Sequence, residues 1–323
     1  MPGEVPYARL TPDAVVDAVE SLGLQCDGRL LALNSYENRV YRVGIEDAAP
    51  LVAKFYRPAR WSDAAIEEEH AIARELADAA LSVVAPNAFD GATLFHNAGF
   101  RFALFACQGG HAPELNDADT LRQLGRTLAR LHTVGARRHF RHRQTLDAAR
   151  FGHEPLRFLL DSGRIPADLR ISFRRLGTAL LAQVDAAFAR AQPLATLRLL
   201  GDCHPGNILW RDGVAHFVDL DDCLTGPAIQ DLWMFLSGSR DEQQAQLERL
   251  TEGYAEFRDF DWRERHLIEP LRALRLLHYH AWIARRWHDP AFPRAFPGFA
   301  EPRHWEEVLR QVQEQLAVLD EAA

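Results

Sequence analysis

The segment 200–222, LGDCHPGNILWRDGVAHFVDLDD, carries three side chains suited to one kind of chemistry. Asp202 and Asn207 stand five positions apart in a predicted loop, and Asp219 ends the apolar strand pattern that follows. The first pair reproduces the interval of a kinase catalytic loop, in which the Asp accepts the proton of the acceptor hydroxyl and the Asn holds a magnesium ion. Asp219 then stands where a second, metal-binding Asp is expected.

Phosphoryl transfer explains why these residue types belong together. Hard oxygen ligands must hold Mg²⁺ against the phosphates while a carboxylate orients the incoming hydroxyl. Gly201, Pro205 and Gly206 allow the backbone to turn sharply enough for both loop side chains to point the same way. The same spacing also occurs in Asp- and Asn-rich hairpins that perform no chemistry, so the rest of the chain has to decide between the two interpretations.

Lys54 is the only lysine among the 37 lysine and arginine residues of the chain. Because the other 36 of these residues are all arginine, position 54 favours a compact ammonium group over the larger guanidinium fork. Lys54 lies within the strand pattern LVAKFY. A strand lysine followed by a helix that carries its glutamate partner is the kinase arrangement.

The predicted helix after this strand begins at Asp63 and carries the run Glu67–Glu69. Glu69 lies on the flank nearest to Ile66 and Ile72, so it is the best-placed partner for the lysine if those two residues face inward. Three adjacent glutamates also fit an ordinary solvated helix face.

Two further segments could contact a nucleotide. The polar turn Asn34–Asn38 lies between two predicted strands, and its backbone N–H groups and the Ser35 hydroxyl could bind phosphates. It could equally be an ordinary hairpin loop. After the strand pattern at 102–105, the residues around Cys107 run into a Gly109–Gly110 break and could offer backbone groups to an adenine ring. Cys107 itself is expected to be half-buried and inert, because no base is visible beside it.

The order of elements predicts an α+β chain with two parts. Residues 1–108 read as a short helix followed by a small antiparallel sheet that begins near Leu30 and includes a hairpin turn at Asp90-Gly91. Residues 109–323 read as mainly helical, including a helix over IQDLWMFLSG. The eleven residues between Asp219 and Asp231 leave no room for a long activation segment.

Composition excludes several classes of protein. At 323 residues and 47% hydrophobic content the chain can bury a large core. A net charge of −8 argues against general binding to nucleic acid or to a membrane surface. The N-terminus lacks the layout of a signal peptide, and no apolar run is long enough to span a bilayer. The four cysteines have no disulfide or metal-site spacing, which favours a reduced, cytoplasmic setting.

A strand lysine, a helix glutamate, an Asp-x-x-x-x-Asn loop and a strand-end aspartate occur in the order that a two-lobed phosphotransferase requires. The chain also contains the motifs LNSYENRVYRV, KFYRPARW, GDCHPGNILWRDG, FVDLDD, GPAIQDLWM and ARRWHDPAFP. Together they resemble the bacterial stress response kinase A family, which comprises Ser/Thr protein kinases of the aminoglycoside-phosphotransferase and choline-kinase superfamily. The resemblance covers nearly the whole chain. It implies a protein-kinase-like fold, with a small antiparallel-sheet N-lobe and a larger, mainly helical C-lobe.

The resemblance also implies roles for individual residues. Asp202 would accept the proton, Asn207 and Asp219 would bind Mg²⁺, and Lys54 would pair with the phosphates of ATP. The remaining roles that the resemblance implies are that Glu69 is the partner of the lysine, and that Ser35 contacts the phosphates. Leu200 stands where the family usually has His, which puts in doubt only a contact that braces the loop. A monomeric, cytoplasmic kinase with a Ser/Thr protein substrate, a role in stress and autophosphorylation are expected.

Two alternatives stay open at this point. A kinase of the same class could phosphorylate a small alcohol of the aminoglycoside, choline or homoserine type. A chain of this fold could also bind nucleotide as a catalytically silent scaffold.

Overall fold

The computed structural model describes residues 6–322, with strands concentrated in the first third of the chain and helices after it. The strands are β1 (Cys26–Ala32), β2 (Arg39–Ile45), β3 (Leu51–Phe55), β4 (Phe95–Asn97), β5 (Phe100–Ala106), β6 (Leu197–Leu199), β7 (Ile208–Arg211), β8 (Val214–Phe217) and β9 (Leu224–Gly226). The helices are α1 (Pro12–Glu20), α2 (Asp63–Asp78), α3 (Ala118–Gly135), α4 (Glu154–Asp161), α5 (Arg170–Arg190), α6 (Arg240–Ala255), α7 (Ile268–Arg285), α8 (Ala291–Ala295) and α9 (Pro302–Ala322).

The chain forms two compact units. The first comprises the described residues of Met1–Gln144, Leu197–Thr225 and Met234–Asp259. The second comprises those of Thr145–Thr196, Gly226–Trp233 and Phe260–Ala323. The boundary expected after residue 108 divides the chain by its sequence pattern rather than by compactness, and it stays a prediction.

An antiparallel sheet with strand order β1-β2-β3-β5-β4 forms the N-terminal part of the first unit. Lys54 lies in β3, opposite Val40 of β2 and Ala103 of β5, so its strand is hydrogen-bonded on both sides. Phe55, its neighbour on the other face, is fully buried in a core that also contains Val15 of α1. Because successive side chains of a strand alternate between faces, Lys54 points away from this core.

Side chains cap the helices α2 and α3 of the first unit. Ser62 caps α2 through its side chain, and Asp117 caps α3 by accepting the N–H of Thr120 at 2.8 Å. α3 packs along α6, where the buried His132 and the Tyr254 hydroxyl are 2.9 Å apart. The predicted start of α2 at Asp63 is therefore confirmed.

Helices α4, α5, α7, α8 and α9 make up most of the second unit. Their core is rich in aromatic rings, with Phe173, Phe299 and Trp305 almost fully buried. Phe299 and Trp305 meet edge to face with ring centroids 5.2 Å apart. Within residues 6–322, no helix is both long and apolar enough to cross a membrane.

Two local predictions were wrong. β1 begins at Cys26 rather than near Leu30. The helix expected over IQDLWMFLSG is instead a pair of 3₁₀ turns at 228–231 and 233–235. In this segment the Ile229 N–H, which the start of a helix would leave without an intrahelical partner, donates to the buried Glu264 carboxylate at 2.8 Å. The Asp90-Gly91 hairpin turn is confirmed, with positive φ at both residues.

Candidate active site

Lys54 lies among three carboxylates of the first unit. Its Nζ is 3.1 Å from Glu69 Oε1, 2.9 Å from Asp219 Oδ1 and 3.5 Å from Asp221 Oδ1. The lysine is 5% exposed and Glu69 3%, whereas the Asp219 side chain is half exposed. The structure thus brings the strand lysine, the helix glutamate and the strand-end aspartate together across 165 residues of sequence.

Burial and charge act against each other in this group. Burial by itself would lower the pKa of Lys54, but Asp219, Asp221 and Glu69 outweigh it and raise that pKa well above its usual value. Burial raises the pKa of Glu69, and the neighbouring ammonium opposes this shift. Lys54 is therefore a fixed cation, and its charge limits the rise in the pKa of Glu69 to about 7.

The apolar face of α2 fixes Glu69. Ile66, Ile72 and Leu76 are almost fully buried, and Glu69 follows Ile66 at the i+3 position of the same face. Glu67 is exposed. Glu68 has a different function, because its carboxylate accepts the backbone N–H groups of three consecutive residues, 141–143, at 2.7 to 3.1 Å.

Tyr56 and His70 brace the lysine from the side. Lys54 Nζ lies 5.0 Å from the centre of the Tyr56 ring, a cation–π distance. The Tyr56 hydroxyl is 2.7 Å from His70 Nε2, and His70 Nδ1 is 2.8 Å from Thr93 Oγ1. Burial, assisted by the charge of Lys54, lowers the pKa of His70 to about 3, so the imidazole is neutral.

A tight hairpin brings Asn207 and Asp219 to the same end of a two-stranded ladder. β7 and β8 pair from Ile208 opposite Phe217 down to a two-residue turn, Asp212-Gly213, with positive φ at both positions. The pairing extends one step beyond the strands, since the Val218 N–H donates to the Asn207 carbonyl at 3.0 Å. Asn207 therefore stands directly before one strand and Asp219 two residues after the other.

The chemistry of these two residues fits a magnesium ion. Asn207 donates its Nδ2–H to the Asp202 carbonyl at 3.0 Å, which leaves the amide oxygen as the atom able to bind a cation. Asp219 adopts a left-handed backbone conformation with φ +56°, uncommon for a residue with a side chain and typical of functional sites. A half-exposed carboxylate and an amide oxygen are the few hard ligands that Mg²⁺ uses when phosphates supply the others.

The loop of Asp202 packs directly against the loop that follows Asp219. Gly201 has φ +83°, and a Cβ added there would overlap the carbonyl oxygen of Asp222. The His204 ring accepts the Gly206 N–H at Nδ1, so its neutral form carries the proton on Nε2, which lies 3.5 Å from Asp202 Oδ2. This geometry gives Asp202 a polar neighbour while its own carboxylate stays partly exposed.

Sequence reasoning missed Arg60, Trp61, Arg143 and Asp221. Arg60 pairs with Asp221 and Asp222, and Arg143 bonds to backbone carbonyls of the same loop. Burial would raise the pKa of Asp221, but Arg60, Lys54 and Arg143 together lower it. The consecutive carboxylates in FVDLDD beside an arginine-rich KFYRPARW were the available signal.

Ser35 and Cys107 are the predicted site residues that the structure does not bring to this group. Ser35 is half-buried in the turn between β1 and β2, and Cys107, which follows β5, is exposed rather than half-buried as expected. Within residues 6–322, no polar contact joins either side chain to Lys54 or Asp219. Their predicted contacts with a nucleotide stay predictions.

Comparison with known proteins agrees with this geometry. Residues 29–268 match the phosphotransferase enzyme family. Stress response kinase A of Escherichia coli (strain K12) is 45% identical over 315 residues, covering 98% of this chain and 95% of that protein. Serine/threonine protein kinase RdoA of Salmonella typhimurium shows the same identity and coverage.

The solved structure of amicoumacin kinase hAmiN, in complex with AMP-PNP, Ca²⁺ and Ami, superposes with a TM-score of 0.71 at 18% identity, covering 94% of this chain and 95% of that one. This likeness confirms the predicted α+β, kinase-like fold with its small antiparallel sheet and helical part. Together with the extended sequence identity, it leads to one assignment. The chain belongs to the phosphotransferase enzyme family and, within it, to the stress response kinase A family.

Proposed function

We propose that this chain is a serine/threonine protein kinase that uses ATP and Mg²⁺. The observation that carries the proposal is the position of Lys54 Nζ, 3.1 Å from Glu69 and 2.9 Å from Asp219. A buried ammonium held between a helix glutamate and an exposed, metal-binding aspartate is the arrangement that binds the phosphates of a nucleoside triphosphate in kinases.

In this proposal each site residue has a separate role in phosphoryl transfer. Lys54 binds phosphate oxygens, Glu69 holds the ammonium in place, and Asn207 and Asp219 provide the oxygen ligands for Mg²⁺. When bound, the ion neutralises charge that develops on the transferred group. Asp202 accepts the proton of the acceptor hydroxyl as the new O–P bond forms and the bond to the departing ADP breaks. The Ser35 hydroxyl and the backbone around Cys107 contact the phosphates and the adenine.

The choice of a protein acceptor rests on the relatives. The Salmonella typhimurium relative is named a serine/threonine protein kinase, and it is 45% identical over almost the whole chain. The Escherichia coli relative named stress response kinase A supports a role in stress response. From the family resemblance we also propose autophosphorylation, a cytoplasmic location and a monomeric state, and from the net charge of −8 no nucleic-acid or membrane partner. The solved amicoumacin kinase has the same fold, so a small-molecule acceptor is the alternative that an experiment has to separate.

The first experiment tests Asp202. Purified wild-type protein, Asp202→Asn and the control Asp212→Asn are incubated with γ-labelled ATP, Mg²⁺ and a dephosphorylated protein lysate. Asp212 lies at the exposed tip of the β7–β8 hairpin, so its variant should keep full activity. Asp202→Asn should lose about 10²- to 10⁴-fold in rate, the usual contribution of a general base, while it still binds ATP. Equal rates for the wild type and Asp202→Asn would remove Asp202 from its role.

A second measurement identifies the acceptor. Products in the treated lysate are analysed for phosphoserine and phosphothreonine on proteins, including the kinase itself, and for newly phosphorylated metabolites. Label on protein hydroxyls supports the proposal. Label on metabolites alone contradicts it in favour of a small-molecule kinase, and label on neither, with ATP bound, indicates a silent scaffold.

A further inference from the structure

We propose that Arg60, Trp61 and Arg143 form an arginine clamp that positions the loop Asp219–Cys223 for metal binding. The inference rests on the proposed function and names its positioning residues. Arg60 and Arg143 are 83 residues apart in sequence, yet both lie over the indole ring of Trp61, at 5.1 Å and 4.0 Å from its centre. From this shared ring both guanidinium groups reach the loop that begins with Asp219.

Arg60 holds the side chains of the loop. One terminal nitrogen donates to Asp221 and the other to Asp222, and the arginine side chain is 12% exposed. A buried guanidinium shared by adjacent carboxylates has few alternative positions, because its planar fork matches both at once. Burial would lower the pKa of Arg60, but the surrounding carboxylates, Asp221 first, raise it, so the guanidinium stays charged.

Arg143 holds the backbone of the same loop. Its Nε donates to the Cys223 carbonyl at 3.0 Å, and a terminal nitrogen donates to the Asp221 carbonyl. Arg143 is itself fixed, because its backbone N–H donates to Glu68 of α2 at 3.1 Å. The loop is thus connected to the helix that carries Glu69.

The loop Asp219–Cys223 begins with a residue in an uncommon backbone conformation, which contacts from the clamp can stabilise. Asp219 is held in a left-handed conformation that a residue with a side chain adopts only when its surroundings determine it. In protein kinases, placement of the metal-binding aspartate depends on a long activation segment and its phosphorylation. Only eleven residues separate Asp219 from Asp231 here. The clamp supplies the order from within the fold, so metal binding should not require phosphorylation of the protein.

The clamp also reaches the turn proposed to contact phosphates. Arg60 Nε lies 3.7 Å from Glu37 Oε1, and the side-chain oxygen of Asn38 accepts the Arg57 N–H at 3.0 Å. The turn Asn34–Asn38 and the loop Asp219–Cys223 therefore share one arginine. Removing Arg60 should disturb metal binding, whereas removing only the Glu37 charge should disturb the turn.

The test measures metal binding directly rather than activity alone. Mn²⁺ is titrated calorimetrically into wild type, Arg60→Gln, Arg60→Lys and the control Arg29→Gln, each saturated with AMP-PNP. Arg29 lies in β1 and forms an exposed pair with Asp27, away from the loop. Arg60→Gln should weaken Mn²⁺ binding by about tenfold or more, the usual effect of losing charged hydrogen bonds. Arg60→Lys should recover part of this loss, since an ammonium can serve one of the two carboxylates, and Arg29→Gln should match the wild type.

Further measurements separate positioning from general stability. Glu37→Gln should weaken AMP-PNP binding in EDTA and leave Mn²⁺ binding to the saturated protein unchanged. If Arg60→Gln does not fold, Arg60→Lys decides, because it should bind Mn²⁺ more weakly than Arg29→Gln does. Wild type treated with a phosphatase should bind Mn²⁺ as tightly as untreated protein, and a dependence on phosphorylation contradicts the inference.

The outcomes also distinguish the clamp from the proposed function. Mn²⁺ binding by Arg60→Gln, or by Arg60→Lys, that equals that of Arg29→Gln overturns the clamp even when the wild type transfers phosphate. Weakened binding by Arg60→Gln in a protein that transfers no phosphate supports the clamp and removes the kinase proposal. A wild type that binds no Mn²⁺ in the presence of AMP-PNP overturns both.

Discussion

Replacing Lys54 by Met should destabilise the protein in a way that depends on pH. The variant keeps an unbranched side chain of similar length but removes the ammonium that lies within 3.5 Å of Glu69, Asp219 and Asp221. Asp221 keeps Arg60, and Asp219 is half exposed to water. Glu69 is left as a buried carboxylate without its nearest partner, so the cost should fall mainly on this residue.

The size of the effect follows from distance and burial. An ion pair at about 3 Å corresponds to about 5 kcal/mol at an effective dielectric constant of about 20. Desolvation of the two ions offsets much of this, and removing one partner of a buried pair typically costs about 3 to 5 kcal/mol. We expect Lys54→Met to lower the free energy of unfolding by up to about this amount, with the full loss reached above the folded pKa of Glu69 in the variant. The control Arg29→Met breaks a pair whose arginine is 77% exposed and should leave the free energy of unfolding almost unchanged.

The direction of the pH dependence can be derived from Glu69. Burial already raises its pKa in the folded protein, and loss of the Lys54 ammonium raises that pKa further. A group whose folded pKa exceeds its unfolded value is harmless below the unfolded pKa and destabilises as pH rises through the folded one. The deficit of Lys54→Met relative to wild type should therefore be small at pH 5 and larger at pH 8, because it grows once the pH exceeds about 7, the pKa of Glu69 in the folded wild type.

Urea unfolding of wild type, Lys54→Met, Glu69→Gln and the double variant at both pH values measures the effect. The double variant should recover most of the loss, because the uncompensated charge is gone, and its deficit should not grow with pH. The reasoning fails if Lys54→Met costs no more than Arg29→Met, or if its deficit is the same at pH 5 and pH 8.

Three further predictions concern the surroundings of the site. Gly201→Ala should destabilise the protein by several kcal/mol and abolish activity, because the added Cβ overlaps a backbone carbonyl oxygen. Gly213 has a similar positive φ of +74° but nothing within 4 Å, so Gly213→Ala should cost only about 1 to 2 kcal/mol in thermal unfolding. Glu68→Ala should lower stability by about 1 to 3 kcal/mol, since three backbone N–H groups lose their acceptor, and the exposed Glu67→Ala should be neutral. The pKa of His70, about 3, lies below its unfolded value, so acidification from pH 6.5 to 5 should cost about 2 kcal/mol at this residue, and His70→Gln should remove this part of the acid sensitivity.

The parts of the site that sequence could predict are those with local signals. The position of Glu69 followed from the period of α2, and the strand of Lys54 from its alternating pattern. Asn207 and Asp219 were predicted from their spacing in the sequence. The Asp212-Gly213 turn lies midway between them and folds the chain back on itself, so both residues reach the same end of the hairpin. An Asp-Gly pair flanked by apolar runs was available in the sequence as a hairpin signal.

The remaining parts depend on contacts between distant segments. Arg60 meets Asp221 across 161 residues, and Arg143 meets the Cys223 carbonyl across 80. No local sequence pattern predicts such pairs. In a chain where almost every Lys or Arg position is arginine, the sequence does not distinguish a buried arginine from a solvated one. The 3₁₀ turns after Pro227 were also missed, and there too the structure has a contact that no local pattern shows, between the Ile229 N–H and Glu264, 35 residues away.

The two kinds of cation in the site meet different arrangements of acceptors, and this difference explains the single lysine. Lys54 Nζ is approached separately by three carboxylates, those of Glu69, Asp219 and Asp221. An ammonium suits them because it offers three donors around one compact charge. Arg60 instead faces two carboxylates that are adjacent in sequence, and the two terminal nitrogens of a planar fork serve one each. A guanidinium at position 54 would distribute its N–H donors over a plane, whereas the three carboxylate acceptors converge on a single atom. The choice of lysine at this one position is therefore a consequence of geometry in a chain whose composition otherwise favours arginine.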